Sequence, residues 1–359
     1  MALKFKPQLI GNFGSGVIPD WHKLIKEPKD YLVSAKKDGN CILLENGISK
    51  GRSLKGSPSK KIQEMAKAFH KKYNIGGIVH GEFYAEGFTF PEIQHFYSTV
   101  DISSPRKISE YQNLWEKTNG GTETYQSVHK NRIVEKRWEF PGRDPEWLAT
   151  WHDELKFHIF DYFNGDQNLN KEDRYFAIDD IIEEDCKLAL VIPQYEFESV
   201  ADIIEHCQNE ISLGYEGLVI SHKHSPYKFG RHTIKSGMVF KMKDDLNEWD
   251  AVILSVEEGT QIKEGVERTL NELGRSVTSG KQDDRKPNGK AKGFRVELEN
   301  GKEMIVSLKG YTDGEKVALL VYADKYVGKT IRFTGMHPVK KNGVPRHAHF
   351  TKGNFRDSK

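Results

Sequence analysis

The sequence predicts an α+β chain in two parts, and three observations carry that expectation. The first is length: 359 residues is about two domains' worth of chain. The second is that, up to Lys243, short apolar and aromatic runs alternate with stretches of helical period. The third is a change of pattern after Lys243, where five strand-like runs and one helix fill the remaining residues. Composition agrees with a globular chain of modest core, at 37% hydrophobic and 30% charged. No apolar run is long enough to cross a bilayer, and Met1-Ala2-Leu3-Lys4-Phe5-Lys6 lacks a secretory apolar segment. Cys41, Cys186 and Cys207 are scattered, which argues for a reducing, cytoplasmic setting and against a zinc site.

Net charge is +2 but uneven. From Trp249 onward there are 21 Lys+Arg against 15 Asp+Glu, whereas the first 248 residues hold 33 against 37. A basic C-terminal piece beside a mildly acidic N-terminal one suits a polyanion gripped from one side. Chance asymmetry on a solvated surface explains the charge alone equally well.

In chain order, Asp20 to Lys26 reads as a short helix ended before Pro28. Tyr31-Leu32-Val33 and Ile42-Leu43-Leu44 read as a strand pair around Lys36-Lys37-Asp38-Gly39, the second run closed by the hairpin dipeptide Asn46-Gly47. Lys36 thus stands where a strand ends. Such a lysine among other cations can lose its proton and attack phosphorus, although Lys-x-Asp-Gly is also a common turn composition. Ser49-Lys50-Gly51-Arg52-Ser53-Leu54 is a loop of phosphate-seeking groups. Ile62, Met65, Ala66 and Phe69 give residues 59–73 the apolar stripe of a core-facing helix.

Ile78–Ala85 reads as a strand whose period puts His80, Glu82 and Tyr84 on one face. His80 reads as a partly buried structural histidine. Residues 86–153 carry Trp115, Trp138, Trp147 and Trp151 together with His129-Lys130-Asn131-Arg132; a nucleic-acid contact and an insertion with its own small core stand level. Lys156–Phe163 is a strand, Lys171–Glu184 a helix and Leu188–Ile192 a strand. Ser199 opens a further helix in capping-box form, and Gly214 is placed to end it. Glu216 opens the strand Gly217–Ser221. In Met238–Lys243, Lys241 and Lys243 share one face of an apolar strand, which is costly unless an anion lies between them.

Residues 244–248 read as a linker between domains 1–243 and 249–359. Beyond it, Trp249–Glu258, Phe294–Glu299, Glu303–Leu308, Thr330–Gly335 and His347–Phe355 read as strands, with a helix from Asp313 to Tyr326. Five strands and one helix fit an OB-type barrel. Glu264–Gly293 reads as a loop whose latter half, from Thr278, is expected to be mobile.

The order Lys36-x-Asp-Gly, Glu82, Glu216-Gly217 and Phe240-Lys241-Met242-Lys243 before a basic OB-like domain resembles the covalent nucleotidyltransferases, the superfamily of polynucleotide ligases and capping enzymes. Tyr227-Lys228-Phe229-Gly230-Arg231 and the ending Arg346-His347-Ala348-His349-Phe350…Phe355-Arg356-Asp357-Ser358-Lys359 narrow the likeness to small two-domain ATP-dependent DNA ligases of phage type. The resemblance implies an ATP-grasp-like first domain of antiparallel sheets with flanking helices, followed by an OB fold. It implies nick sealing in duplex DNA through a lysyl-AMP and an adenylylated DNA 5′ end, as in repair and replication. The implied cofactors are ATP as AMP donor and magnesium, with manganese as a substitute. A monomer acting on nicked duplex, without membrane or zinc, is expected.

Carried over by position, Lys36 would take AMP, and Glu82 and Glu216 would serve nucleotide and metal. Phe160 would stack on the adenine, while Lys241 and Lys243 would hold the α-phosphate. Arg52 would meet a phosphate of nucleotide or nick, and Arg231 and Arg346 would face DNA. Arg356 and Lys359 would orient the pyrophosphate. Three positions depart from the family pattern. Cys41 stands where a basic residue is usual, a contact then lost or supplied by Lys37. Ser34 replaces an acid that helps read adenine, and Ser358 replaces an aspartate. An RNA ligase shares Lys-x-Asp-Gly followed by a small residue. A capping enzyme and an NAD-dependent ligase fit less well, and a non-catalytic OB binder would have no need of Glu82, Glu216 and the lysine pair together.

Overall fold

A computed structural model describes residues 5–11, 19–129, 132–138, 140, 142–243, 247–278, 280–338 and 344–356. The chain falls into two units, Met1–Asp244 and Asp245–Lys359. Residues 244–246 of the expected linker lie outside the described residues, as do Lys130, Asn131, Asp357, Ser358 and Lys359.

The strands of the first unit are β1 (Gln8–Leu9), β2 (Tyr31–Ala35), β3 (Asn40–Glu45), β4 (Ile48–Gly51), β5 (Ile78–Tyr84), β6 (Thr124–His129), β7 (Arg132–Arg137), β8 (Lys156–Phe163), β9 (Ala189–Val191), β10 (Gly217–His222), β11 (Gly230–Arg231) and β12 (Val239–Lys243). Its helices are α1 (Trp21–Leu24), α2 (Lys60–Tyr73), α3 (Phe90–Ser98), α4 (Pro105–Lys117), α5 (Lys171–Asp179) and α6 (Val200–Ser212). Two sheets organise it, one of order β4-β3-β5-β8-β9 and one of order β12-β10-β2. Only the β8–β9 pairing within them is parallel.

Sequence pattern and structure agree closely where apolar period is strong. The α2 stripe Ile62, Met65, Ala66 and Phe69 is buried against the larger sheet. Asn46 and Gly47 both take positive φ, 49° and 75°, as the tight hairpin between β3 and β4 requires. Ser199 caps α6 by accepting from the Asp202 amide at 3.2 Å, and Gly214, at φ 94°, follows the helix.

Three expectations are corrected. First, β2 and β3 are not partners. The Lys36 amide donates to the Gly217 carbonyl and the Lys36 carbonyl accepts from the Glu216 amide. These bonds prolong the β2–β10 ladder past Ala35 and carry the chain from one sheet to the other. Second, α5 stops at Asp179 rather than Glu184. Asp179, Asp180, Glu183, Glu184 and Asp185 would otherwise crowd negative charge at the negative end of the helix.

Third, Arg285–Gly293 is strand, not loop. In the second unit β13 (Asn247–Ile262) pairs with a long strand whose register joins Thr260 to Pro287 and Ile262 to Arg285. Between them lie the short strands β14 (Thr269–Leu270) and β15 (Ser276–Val277), and the long partner is β16 (Arg285–Leu298). The polar composition pairs because the opposite strand is polar too: Glu258 accepts from the Gly289 amide at 2.7 Å. With β17 (Glu303–Lys309), β18 (Thr330–Pro338) and β19 (Pro345–Thr351) these strands close a barrel of order β13-β16-β17-β19-β18. The helix α7 spans Asp313–Val321. Phe294, Phe333 and Phe350 are fully buried in the barrel core, each such ring contributing about 2 kcal/mol or more. Among the described residues the five expected strands and the helix of the OB fold are present, the helix ending at Val321 rather than Tyr326 and the last strand at Thr351 rather than Phe355.

In residues 86–153 two tryptophans are core, and Trp115 and Trp147 are partly buried against it. Trp138 and Trp151 are buried, and Trp151 stacks on Phe96 at 4.6 Å between ring centroids. The β6–β7 hairpin belongs to neither sheet. No helix among the described residues is long and apolar enough to cross a membrane.

One ionic cluster sits inside the first unit. Arg174, fully buried on α5, grips Asp161 of β8 with two nitrogens at 2.8 and 3.2 Å, and Lys171 lies 3.8 Å away. Burial pushes the Asp161 carboxyl up, but Lys171 and Arg174 outweigh it and hold it at about 2. Its folded value is depressed below 3.8, so its stabilisation is present above that pH and is lost as pH falls through 2. Asp161→Asn leaves two buried cations without their anion and is expected to destabilise the first unit by about 3–5 kcal/mol. Urea unfolding at neutral pH checks this, and a change under 1 kcal/mol would show the cations satisfied without Asp161.

Candidate active site

Backbone geometry explains why Lys36 and Glu216 meet. The two amide bonds that join Lys36 to residues 216 and 217 fix both chains side by side. Gly217 has φ 119°, and a Cβ there would stand 2.3 Å from the Met242 carbonyl oxygen. Only glycine lets β10 pass so close to β12. Gly39 is constrained likewise, since a Cβ would stand 2.4 Å from the Phe83 carbonyl oxygen. The glycines of Asp-Gly and Glu-Gly are thus the contacts by which Lys36 and Glu216 are pressed against neighbouring strands.

The Glu216 carboxylate lies between two lysines. One oxygen pairs with Lys36 Nζ and the other with Lys243 Nζ at 2.8 Å. Burial pushes the Glu216 carboxyl up, yet Lys36 and Lys243 overcome it and hold it at about 2. Burial likewise lowers Lys36, and the carboxylates of Glu216 and Glu82 more than reverse that. The protein itself thus supplies an anion to Lys36 and Lys243 but not directly to Lys241. Lys241 lies two residues before Lys243 on the same strand; burial, then Lys243 and Lys36, push its ammonium down to about 8. Such a group favours an arriving anion.

Glu82 faces this cluster from β5. Burial pushes its carboxyl up to about 7, Lys36 opposing and Glu216 and Asp38 adding to the rise. Two carboxylates in one field, one of them raised by burial, are the donor chemistry magnesium takes when substrate phosphates complete its shell. Among the described residues no group of three or more His, Cys, Asp or Glu is gathered to hold a metal ion, so magnesium beside Glu82 and Glu216 would take most of its ligands from substrate phosphate and water.

Phe160 is set by a β-bulge. His80 pairs with Asp161 and Gly81 with Ile159, so Phe160 is the extra residue on β8. Its ring lies 4.7 Å from the His80 ring, and its carbonyl accepts from buried Lys171. His80 is deeply buried, and burial lowers its pKa to about 4. Cys41 Sγ lies 3.4 Å from its Nε2, and the Tyr227 hydroxyl 3.3 Å from its Nδ1. His80, Tyr227 and the Asp161–Lys171–Arg174 cluster were missed as supports of Phe160. The legible signal was Lys171 and Arg174 three apart on one helix face, opposite an acid in an aromatic strand.

The remaining positions divide. Arg52 is exposed, and its charge acts on Glu82 and Cys41. Arg231 acts on Lys241 while donating to the Ile10 carbonyl at 2.6 Å. Lys37 does not replace a cation at Cys41: it pairs with Glu86 at 3.0 Å and lies over the Tyr215 ring at 3.7 Å. In the second unit Arg346 is half-buried on β19. Arg356 Nε lies 3.7 Å from Asp250, and its amide donates to Thr330, so the chain is tied to the barrel this far. Lys359 is outside the described residues. A separate cavity of about 620 Å³, lined by Lys6, Gln167, Tyr227, Phe229 and His232 among others, touches none of the Lys36 cluster.

No family model matches the chain, and no curated protein does. Solved structures do. A structure of the Lig E DNA ligases, described as DNA binding with a minimal scaffold, aligns over 99% of this chain and 100% of its own, at 17% identity and a TM-score of 0.62. A protein named Pmar-Lig_Pre aligns over 99% of this chain and 68% of its own, at 15% identity and a TM-score of 0.59. A Chlorella virus DNA ligase–adenylate aligns over 99% and 100% at 16% identity, with a TM-score of 0.44 too loose to bear on the site. The α+β fold of this chain, two sheets with flanking helices followed by a five-stranded barrel, is the fold of that Lig E DNA ligase structure.

Proposed function

We propose that the chain is an ATP-dependent polynucleotide ligase that seals 5′-phosphate/3′-hydroxyl nicks in duplex DNA. The observation that carries this reading is the position of Lys36, beside Lys243 and two carboxylates, at the end of a strand pinned by backbone bonds. Phosphoryl-type transfer asks for an in-line nucleophile and cations on the non-bridging oxygens, and for little else.

In the first step the Lys36 Nζ–phosphorus bond forms at the α-phosphate of ATP as the bond to pyrophosphate breaks. The amine must first leave Glu216 and lose its proton. Lys241 and Lys243 take the α-phosphate oxygens, Phe160 offers a face to the adenine, and Arg52 reaches a phosphate. Bound magnesium would neutralise phosphate charge beside Glu82 and Glu216. AMP then passes from Lys36 to the 5′-phosphate of the nick, breaking N–P and forming a pyrophosphate link. Finally the 3′-hydroxyl attacks that 5′-phosphorus and AMP leaves. Arg231 and Arg346 are assigned to DNA, and Arg356 with Lys359 to the pyrophosphate.

Incubation with ATP and magnesium is expected to add the mass of one AMP to the intact protein and none to Lys36→Ala. That variant should keep most of its nicked-duplex affinity, because binding rests on many phosphate contacts. Labelling retained in Lys36→Ala would overturn the assignment, and faster joining of single-stranded RNA than of nicked DNA would favour an RNA ligase.

The C-terminal cations serve only a step in which pyrophosphate is present. A chain ending at Phe355, which keeps the ring packed on Phe350 and Tyr326, is expected to lose self-adenylylation while still sealing a nick supplied already adenylylated. Single-turnover sealing of both substrates reads the difference. Equal losses on the two would mean that the tail serves only the barrel.

A further inference from the structure

The β6–β7 ribbon is the one two-stranded element of the first unit that nothing in the proposed chemistry uses. Among the described residues its strands pair only with each other, from Thr124↔Arg137 to His129↔Arg132. A bare hairpin is marginal in water, so an exposed one is kept for what it touches. Alternation separates its faces. On one face Tyr125 stands opposite Lys136, and Lys117, from the end of α4, lies over the Tyr125 ring at 4.7 Å. On the other, Glu135 pairs with Arg137, and Val128 and Ile133 oppose each other near the tip while 75% and 74% exposed.

Charge decides between partners. From Lys117 to Arg137 the sequence holds five Lys and Arg against two acids, inside a stretch of 248 residues that is acidic as a whole, at 33 against 37. The ribbon is locally basic within that unit, and its acid Glu135 lies on the face away from Lys136. On the face that carries Lys136, this residue and Lys117 flank Tyr125, two cations of the kind that meet phosphates of a duplex backbone. A docking protein of ordinary surface would favour the apolar tip alone. A two-stranded ribbon is narrow enough to enter the major groove of B-form DNA.

We propose that this ribbon is a second contact with duplex DNA, away from the nick. Lys117 and Lys136 take phosphates, and Val128 and Ile133 pack on the sugar and base edges of the groove. The choice of duplex DNA rests on the ligase reading above, whereas the basic ribbon itself does not.

The test measures nicked-duplex affinity against salt for the whole chain and three variants, with ATP labelling of each. Lys117→Glu with Lys136→Glu is expected to weaken binding on the order of tenfold and to flatten the slope of log affinity against log salt by about 2. Val128→Ser with Ile133→Ser is expected to weaken binding several-fold at unchanged slope, since no counterion is released by an apolar contact. Lys67→Glu with Lys71→Glu, the same charge change on α2, is expected to alter neither by more than about twofold. AMP labelling should be as in the parent throughout. Parent-like affinity and slope in both ribbon variants would overturn the proposal, as would equal losses in the α2 control, which would mean a general field. Labelling absent from every protein, with affinity still dependent on the ribbon, would instead sink the ligase reading and leave the ribbon standing.

Discussion

The site depends on one carboxylate held between two ammonium groups. Lys36, Lys241 and Lys243 crowd positive charge into a half-buried space, and three such cations together are costly in low dielectric. Glu216 relieves that cost by touching Lys36 and Lys243 at once. It can do so because the bonds at residues 36, 216 and 217 leave the two chains no other spacing. Under the ligase reading proposed above, an incoming triphosphate would offer the same lysines the same kind of partner as the resting ion pairs.

A layer of uncharged or paired groups holds Phe160, the ring proposed above to face the adenine. Phe160 is displaced from the pleat by a bulge, its ring lies on neutral His80, and its carbonyl is bonded by Lys171. His80 is bracketed by Cys41 and Tyr227. The departure at Cys41 is thus absorbed locally: a thiol beside a neutral imidazole leaves no unpaired charge where a cation would need one. Asp161 closes the layer by answering Arg174 and Lys171 together.

Periodicity legible in short windows anticipated most elements, because core-facing stripes are decided by neighbours three, four or two residues away. Ile62 to Phe69, Asn46-Gly47, Ser199 and the barrel strands are of this kind. It misled where polar pairing or like charge took over. Arg285–Gly293 looked like loop because its partner, Glu257–Ile262, is itself polar, and α5 was read too long because acids at a helix end carry no apolar period. The tryptophans of 86–153 could not be divided between surface and core until Phe96 and Trp151 were seen stacked.

By itself the sequence determined the two-part α+β plan, the strand-end position of Lys36 and the shared face of Lys241 and Lys243, since each follows from local alternation. It also made Glu82 and Glu216 conspicuous as acids set against glycines. Only the tertiary structure decided which cation each acid meets, that His80 is buried and neutral, and that Phe160 stands on a bulge braced by α5. Those outcomes depend on chains remote in sequence packed within a few ångströms, where backbone hydrogen bonds and the desolvation of charge, rather than residue spacing, select the pairings.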